Sequence, residues 1–533
     1  MTFLKKISLI FLTLTLFIVV CLSLTSCGDE YENGILYNGN AVIGADKNAT
    51  ELTVKDGATS IATGAFADCE NLTSLTLPDS ITEIAQGAFD GCNALIKSEG
   101  GIKYVDGWVI GADENATEIT VKDGTRGIAR EAFIGMTSLK SAVIPDSVKH
   151  IGARAFFRCS SLESITLPFV GKSALTKNST HFGYIFGAFN KEQNPEYVPD
   201  SLINVNVTSD DEISDYAFSE CAKIKTVTLP NTLKSIGANA FADCTALSSI
   251  VIPDTVSEIG DKAFYKCSAL TSVKLPENDG FTSIHQYTFA YCSGINTLTI
   301  PKSVKEIGAC AIARCTSLES IVIESPLLDR IGQQAFDGCN YLTTLDLAVK
   351  VIEKGAFQNC IALTDVKLGE GSLKISSYVF NGCSGIVNFS MPKSVTEIGE
   401  FAFYACYSLG SINLGEGITS IEKSTFQYCI NLTGTVIPAS VKSVGEDAFS
   451  GCNALITKNN GVSYVDGWIT EIQASATSIE ITDGISGFAD GAFRGAVNLA
   501  SITYTGTAQK WDEIKKSIPA SVSSATNIIL NIK

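Results

Sequence analysis

The sequence predicts a β-rich solenoid, with short parallel strands and a turn or short helix in each repeat of about 23 residues. Three observations predict it. One segment recurs along nearly the whole chain: CENLTSLTLPDSITEIAQGAFDG begins at Cys69 and CTALSSIVIPDTVSEIGDKAFYK at Cys244. The frame restarts at Cys267, Cys383, Cys406 and Cys429, and the next Cys falls 23 positions later from Cys383 through Cys452. About 16 Ala-Phe units follow one another, from Ala65-Phe66 to Ala492-Phe493. No unit of this size buries its own apolar face, so stacking must make one continuous core.

Before the repeats, Lys5 and Lys6 precede an apolar run from Ile7 to about Leu24, the layout of a secretory signal over residues 1–26. The run is on the short side for a membrane span. It ends in Leu24-Thr25-Ser26-Cys27, which resembles a bacterial lipobox; that resemblance implies that Cys27 becomes N-terminal and carries the lipid. Several acyl chains on one Cys hold a protein firmly on a membrane, whereas one is marginal. Residues 27–40 then read as a flexible tether, 41–500 as the solenoid and 501–533 as a C-terminal cap. Removing residues 1–26 takes away two lysines and no acid, so the net charge of −17 falls by two, to −19. A chain this acidic repels nucleic acid and anionic lipid, and needs the acyl anchor to stay on a membrane.

Within a repeat, Leu75 and Leu77, or Ile250 and Ile252, alternate with polar residues and read as a short strand facing inward. Pro78 and Pro253 stop the strand, because proline donates no ladder hydrogen bond. Val256 and Ile259 supply a second buried pair, consistent with another short extended segment, and Gly260 permits a turn. Ala263-Phe264 begins a helical turn towards the next Cys, and repetition of the Phe predicts a stacked column of rings.

The Leu72-x-x-Leu75-x-Leu77 spacing is a leucine-rich repeat signature. With the Ile-Gly step and the Ala-Phe-x-x-Cys ending, the repeats resemble the BspA-like subfamily of leucine-rich repeats over almost everything after residue 40. The resemblance implies a surface protein of a bacterium or protist that adheres to host proteins or to other cells. The period itself shows only an extended repeat surface.

The chain has 17 cysteines, which in an exported protein invites a disulfide framework. Cys69, Cys244 and Cys267, however, occupy one repeat position beside a buried Leu, and Met136 and Ala496 take the same position elsewhere. A disulfide partner could not tolerate that exchange, so a ladder of buried, reduced thiols is expected. Cys310, in IGACAIARC, lies off the ladder and is expected to be exposed.

The repeat is broken in three places. A longer module recurs as NGNAVIGADKNATELTVKDG near the start, as YVDGWVIGADENATEITVKDG from Tyr104 and as YVDGWITEIQASATSIEITDG from Tyr464. Its alternation around Asp-Gly reads as hairpin strands. Trp108 and Trp468 lie in it, either as core indoles, the favoured reading, or as ligand platforms. Cys159 and Cys221 are 62 residues apart, and the excess, about 169–212, gathers His181, Phe182, Tyr184, Phe186, Phe189 and Tyr197. These rings are the best candidate recognition patch if exposed, although burial against the solenoid is favoured. At the C-terminus Trp511 and Ile514 sit at helical spacing, as a polar-faced cap requires.

Residues flanking the inward strand positions, such as Ser74, Thr76, Ser164, Thr166, Thr226 and Thr228, predict a flat, hydroxyl-rich sheet face almost free of aromatics. Threonine suits strands and keeps a surface soluble, which suffices to explain it. Three histidines, His150, His181 and His285, fall in different parts of a rod, so no catalytic triad assembles. No CxxC, HExxH or phosphate-binding glycine loop occurs, and no metal or cofactor is expected. The sequence therefore points to a lipid-anchored binding protein of the cell envelope that engages a host or neighbouring-cell protein, not an enzyme. The alternative is an envelope scaffold or glycan-capture lipoprotein.

Overall fold

The computed structural model describes residues 29–173, 181–326 and 328–532. The signal segment and Cys27 lie outside the described residues. The chain forms two compact units, one running to Leu162 and including Ile185–Gly187, the other comprising Glu163–Tyr184 and Ala188–Lys533.

The second unit shows how a regular coil closes. Its first parallel sheet takes one strand per coil, including Asn204–Val207, Thr226–Thr228, Ser249–Val251 and Ser272–Lys274, with Ser249 opposite Ser272 and Ile250 opposite Val273. A second parallel sheet takes two residues per coil, and six of its strands run in succession from Ser283–Ile284 to Glu397–Ile398. The second extended segment expected at Val256 and Ile259 is therefore a sheet in its own right. Leu247, Ile250, Ile252, Val256, Ile259, Phe264 and Cys267 all point inward and are buried.

The phenylalanines form the expected column. Phe218, Phe241, Phe264 and Phe289 stack with centroids 5.1, 5.2 and 5.4 Å apart and ring planes within 7° of parallel. Between the columns of rings and cysteines the regular coils take the turn, and not the short helix, of the two forms expected. Lys262 and Lys266, on either side of Ala263-Phe264-Tyr265, adopt left-handed conformations with φ of 58° and 59°, and the chain turns without completing a helix. Asn239, Asp243, Asn359 and Gly382 hold the corresponding positions elsewhere, residues that tolerate this conformation. Gly260 also has a different reason from the turn assigned to it. A Cβ there would stand 2.6 Å from the backbone nitrogen of Ala238, so the glycine lets consecutive coils approach.

The long modules are antiparallel excursions. Lys97–Glu99, Ile102–Val105 and Trp108–Ala112 pair in sequence, and Trp108–Ala112 then pairs in parallel with Gly127–Ile128. Val105 opposes Trp108 across Asp106-Gly107, whose φ values of 41° and 77° suit the mirror-image turn that joins twisted strands. Thr457–Asn459, Val462–Val465 and Trp468–Ile472 repeat the arrangement. So do Asp29–Glu32, Ile35–Asn38 and Ala41–Ala45, which corrects the reading of 27–40 as a tether: from Asp29 onward it is a hairpin, with Ile35 and Tyr37 buried.

The insertion is also shorter than 169–212. Asn204–Val207 pairs residue for residue with Ser164–Leu167, and Glu212–Ile213 is already a second-sheet strand. At the C-terminus, Trp511 and Ile514 lie in the helix Ala508–Ile514, started by Thr507, whose hydroxyl accepts the Lys510 N–H. Both are buried, Trp511 against Tyr504 at 5.1 Å, and a further strand, Asn527–Ile532, pairs with Ser501–Gly506.

Candidate binding surface

The sequence-predicted ring cluster is mostly core. Phe182 is buried on Phe218, 4.9 Å between centroids, in the second unit; Phe186 is buried and packs on Phe156 at 6.3 Å in the first. His181 is buried, with Nε2 3.2 Å from the Ala188 carbonyl and its ring edge-on to Tyr184. Tyr184 and Tyr197 are half-buried. Phe189 alone stands out, 83% exposed, its N–H donating to Gln193 Oε1 at 2.8 Å. The residue that fastens this segment is Asn194, which sequence reasoning passed over. Fully buried, it accepts the Gly183 N–H at 2.9 Å and donates to the carbonyls of Ala217 and Ser219. Asp210 accepts the Val170 N–H close by, and burial pushes its carboxyl up to about 6.

Trp108 and Trp468 are core indoles. Trp108 is 1% exposed and lies parallel to the His150 ring at 6.3 Å. Each indole covers a glycine: a Cβ on Gly127 would stand 2.4 Å from Trp108, and one on Gly487 2.8 Å from Trp468. Neither ring is open to a ligand.

The fifteen described cysteines are all unpaired and buried. They do more than fill space. The Cys267 thiol donates to the Phe241 carbonyl of the preceding coil at 3.1 Å, and that carbonyl also accepts the Cys244 N–H of its own coil at 3.2 Å. Cys92, Cys159, Cys292, Cys383 and Cys452 do the same to their preceding phenylalanines at 2.8–3.2 Å. Burial raises the Cys92 thiol to about 11 and the Cys159 thiol to about 12, so these two stay protonated and unreactive. Cys310 is corrected too: it is buried, packed with Ala290 and Ala313 beneath Tyr265 and Tyr287.

What remains exposed is repetitive. Many hydroxyls bond the preceding coil: Thr271 Oγ1 donates to the Ser248 carbonyl at 3.1 Å, and Ser411 Oγ to Asn388 Oδ1 at 2.7 Å. Ion pairs climb the second sheet from Glu306 to Arg330 and from Lys374 to Glu397. The turn edge carries aromatics at left-handed positions, Tyr287, Tyr291, Tyr378, Phe401 and Tyr428, with Tyr265 and Tyr291 meeting edge to face at 5.6 Å. The signal for them was present, as rings at positions held elsewhere by Asn, Asp or Gly. Among the described residues no cluster of His, Cys, Asp or Glu could hold a metal ion, and no helix is long and apolar enough to cross a membrane.

These coils, with leucine and isoleucine columns inside and one strand per coil in each sheet, define a leucine-rich parallel solenoid. The profile described as "BspA type Leucine rich repeat region (6 copies)" matches residues 44–163, 111–181, 211–343 and 329–456. The chain belongs to the BspA-type leucine-rich repeat family. Among solved structures it is similar to a leucine-rich repeat protein from Bacteroides ovatus, 24% identical over 76% of this chain and 96% of that one, with a TM-score of 0.46. A leucine rich cell surface protein from Faecalibacterium prausnitzii is 21% identical over 79% and 97%, with a TM-score of 0.31. The pneumococcal vaccine antigen PcpA is 16% identical over 94% and 98%, with a TM-score of 0.29. No curated protein matches the chain.

Proposed function

We propose that this chain is a lipid-anchored surface protein that works by binding other proteins, those of a host or of neighbouring cells. The observation that carries the reading is the division of labour along each coil. The thiols, Trp108 and Trp468, and the insertion rings Phe182 and Phe186 are buried in the core. The outer faces repeat one coil at a time, an arrangement that favours broad contact over a single cleft. Burial of Trp108, Trp468, Phe182 and Phe186 counts against a glycan-capture reading. Phe189, exposed at the insertion, is the ring best placed to anchor a partner there. Cys27 is the proposed lipid attachment and adhesion the proposed role.

The test uses the full chain in a bacterial envelope. Cys27→Ala is expected to release it from the membrane fraction, and added protease to digest it on intact cells. Saturable binding to one of a panel of matrix proteins, weakened by Phe189→Ala, supports adhesion. Protection from protease on intact cells, with no matrix protein bound, would move the reading to an envelope scaffold.

A further inference from the structure

Arginine is rare in this chain and unevenly placed. Of 39 basic residues seven are arginines, and four of the seven fall between positions 126 and 158. Three of these, Arg130, Arg154 and Arg158, meet on two adjoining coils of the first unit. The Glu131 N–H donates to the Ala153 carbonyl at 3.2 Å and the Gly135 N–H to the Phe157 carbonyl at 2.8 Å, so the two turns lie against each other. Arg154 Nη1 lies 3.3 Å and Arg130 Nε 3.8 Å from one oxygen of Glu131, a buried carboxylate. The guanidinium carbons of Arg154 and Arg158 stand 4.2 and 5.2 Å from the centroid of the Phe157 ring. One carboxylate and one ring thus gather three guanidiniums.

The backbone under the cluster is strained. Arg154 and Arg158 are left-handed, with φ of 61° and 63°. Apart from Glu131, which anchors the cluster, the unit otherwise places Gly64 and Gly87 at the first of these positions and Asp68, Gly91 and Gly135 at the second. Those residues take the conformation readily. Strain kept where glycine would relieve it points to a use for the side chains. The donors are also unspent: Arg158 is exposed and without an ion pair, and none of the three guanidiniums donates a hydrogen bond among the described residues. Gly135 leaves open space, since a Cβ there would meet nothing within 4 Å.

The second unit offers a control. Lys262-Ala263-Phe264-Tyr265-Lys266 repeats the spacing of Arg154-Ala155-Phe156-Phe157-Arg158, with Lys266 5.0 Å from the Tyr265 centroid. There the charge is cancelled, because Asp243 pairs with Lys266 at 3.7 Å and Asp261 precedes Lys262. Residues 153–158 contain no acid. Three guanidiniums against Glu131 leave a surplus of positive charge, in a chain whose net charge is −17.

We propose that this cluster is the docking site for an acidic polypeptide segment of a partner, an inference that rests on reading the chain as a protein-binding solenoid. A guanidinium presents its N–H groups as a planar fork that matches a carboxylate, and stacking on a ring leaves the edge of the fork open. Arg154 and Arg158 both lie within 5.2 Å of one ring centroid, so carboxylates about 7 Å apart, two residues along an extended segment, can each meet one. Screening confines the surplus charge to roughly 8–10 Å. A short acidic segment fits that reach, whereas a long polyanion such as a sulfated glycan would run on over a chain that repels it.

The experiment presents the full chain to labelled peptides with Glu, Gln or Lys at alternate positions, and to a sulfated oligosaccharide of similar length. The test variant is Arg154→Gly/Arg158→Gly, because glycine suits the left-handed backbone; Lys262→Gln/Lys266→Gln removes the same charge elsewhere. Glu peptides are expected to bind about tenfold or more tightly than Gln peptides, and the arginine variant to lose that margin with a melting temperature no lower than the parent's. The lysine variant should lose less than about twofold, and Arg154→Lys/Arg158→Lys about threefold, because it keeps the charge but not the fork. If the glycine pair melts below the parent, Arg158→Gln alone, at an exposed position, is expected to lose about threefold. Glu peptides bound equally by parent and arginine variants, or not bound at all, would overturn the site. Saturable binding to a matrix protein would then leave the protein-binding reading standing, and an empty panel would remove that reading too. Tighter binding of the sulfated oligosaccharide, lost with the arginine variant, would overturn the polypeptide as occupant.

Discussion

The regular coil and the hairpin coil solve the same stacking problem in different ways. A regular coil is held by many small, identical contacts: a phenylalanine on the ring column, and a thiol closing the second lone pair of the preceding phenylalanine carbonyl. A hairpin coil concentrates its hold in a few large contacts. In the first unit Trp108 covers Gly127, Asp106 Oδ2 accepts the Leu77 N–H at 2.6 Å, and Arg126 ties Asp106 to the Leu77 carbonyl. In the second unit Trp468 covers Gly487 and Asp466 accepts the Ile437 N–H at 2.6 Å, but Ser486 stands where Arg126 would be. Met136 and Ala496, which replace the ladder cysteine, lie in coils that follow a hairpin, whereas Cys69, which follows the first hairpin, directs its thiol at the Asp46 carbonyl at 4.0 Å.

The largest expected effect separates the two coil types by pH. Burial raises the thiols of Cys159, Cys244 and Cys267 above their unfolded value near 9, so their contribution is fully present below pH 9 and is lost as pH rises towards 12. A thiol that holds its proton tenfold more tightly in the folded chain contributes about 1.4 kcal/mol to this dependence, and many thiols titrate together. Melting temperature should fall steeply between pH 9 and 11, and replacing several ladder cysteines by alanine should flatten that fall. A parent whose melting point is level to pH 11 would break the comparison. Trp108→Ala should cost ~3–5 kcal/mol in denaturant melts, as much as Phe264→Ala, if one indole does for a hairpin what one ring does for a coil. Gly127→Ala should cost ~1–3 kcal/mol by overpacking and should exceed Gly487→Ala, because its Cβ would stand nearer the indole. Cys267→Ala should cost about 1 kcal/mol, while Ala496→Cys should gain nothing. Arg126→Ala comes last, below about 1 kcal/mol, since the side chain is part-exposed and its ion pairs are screened. A larger loss would mean that the arginine, and not the indole, sets the hairpin.

Much of this architecture is legible in the residues. The strand alternation at Ile250 and Ile252, the ring column and the unpaired cysteines follow from one period applied many times. What stayed hidden depends on how coils meet. Ala263-Phe264 reads as a helical turn, but apolar spacing cannot reveal the left-handed residues at Lys262 and Lys266 that shape it. Gly260 reads as a turn until the backbone of the coil before it is in place. The insertion rings were legible as aromatic but not as buried, because Phe182 and Phe186 take their burial from rings outside the insertion, Phe218 and Phe156.

The thiol-to-carbonyl contact has a consequence for how such a chain can change in size. Because Cys267 grips Phe241 as Cys383 grips Phe357, any two regular coils present interchangeable ends. Excising or duplicating one 23-residue segment between equivalent cysteines re-forms the same grip at the seam, whereas a cut inside a hairpin leaves Asp106 or Asp466 without the N–H it receives. Growth and loss by whole coils is therefore open to the regular stretches and closed to the hairpins, which act as fixed markers along an otherwise adjustable chain.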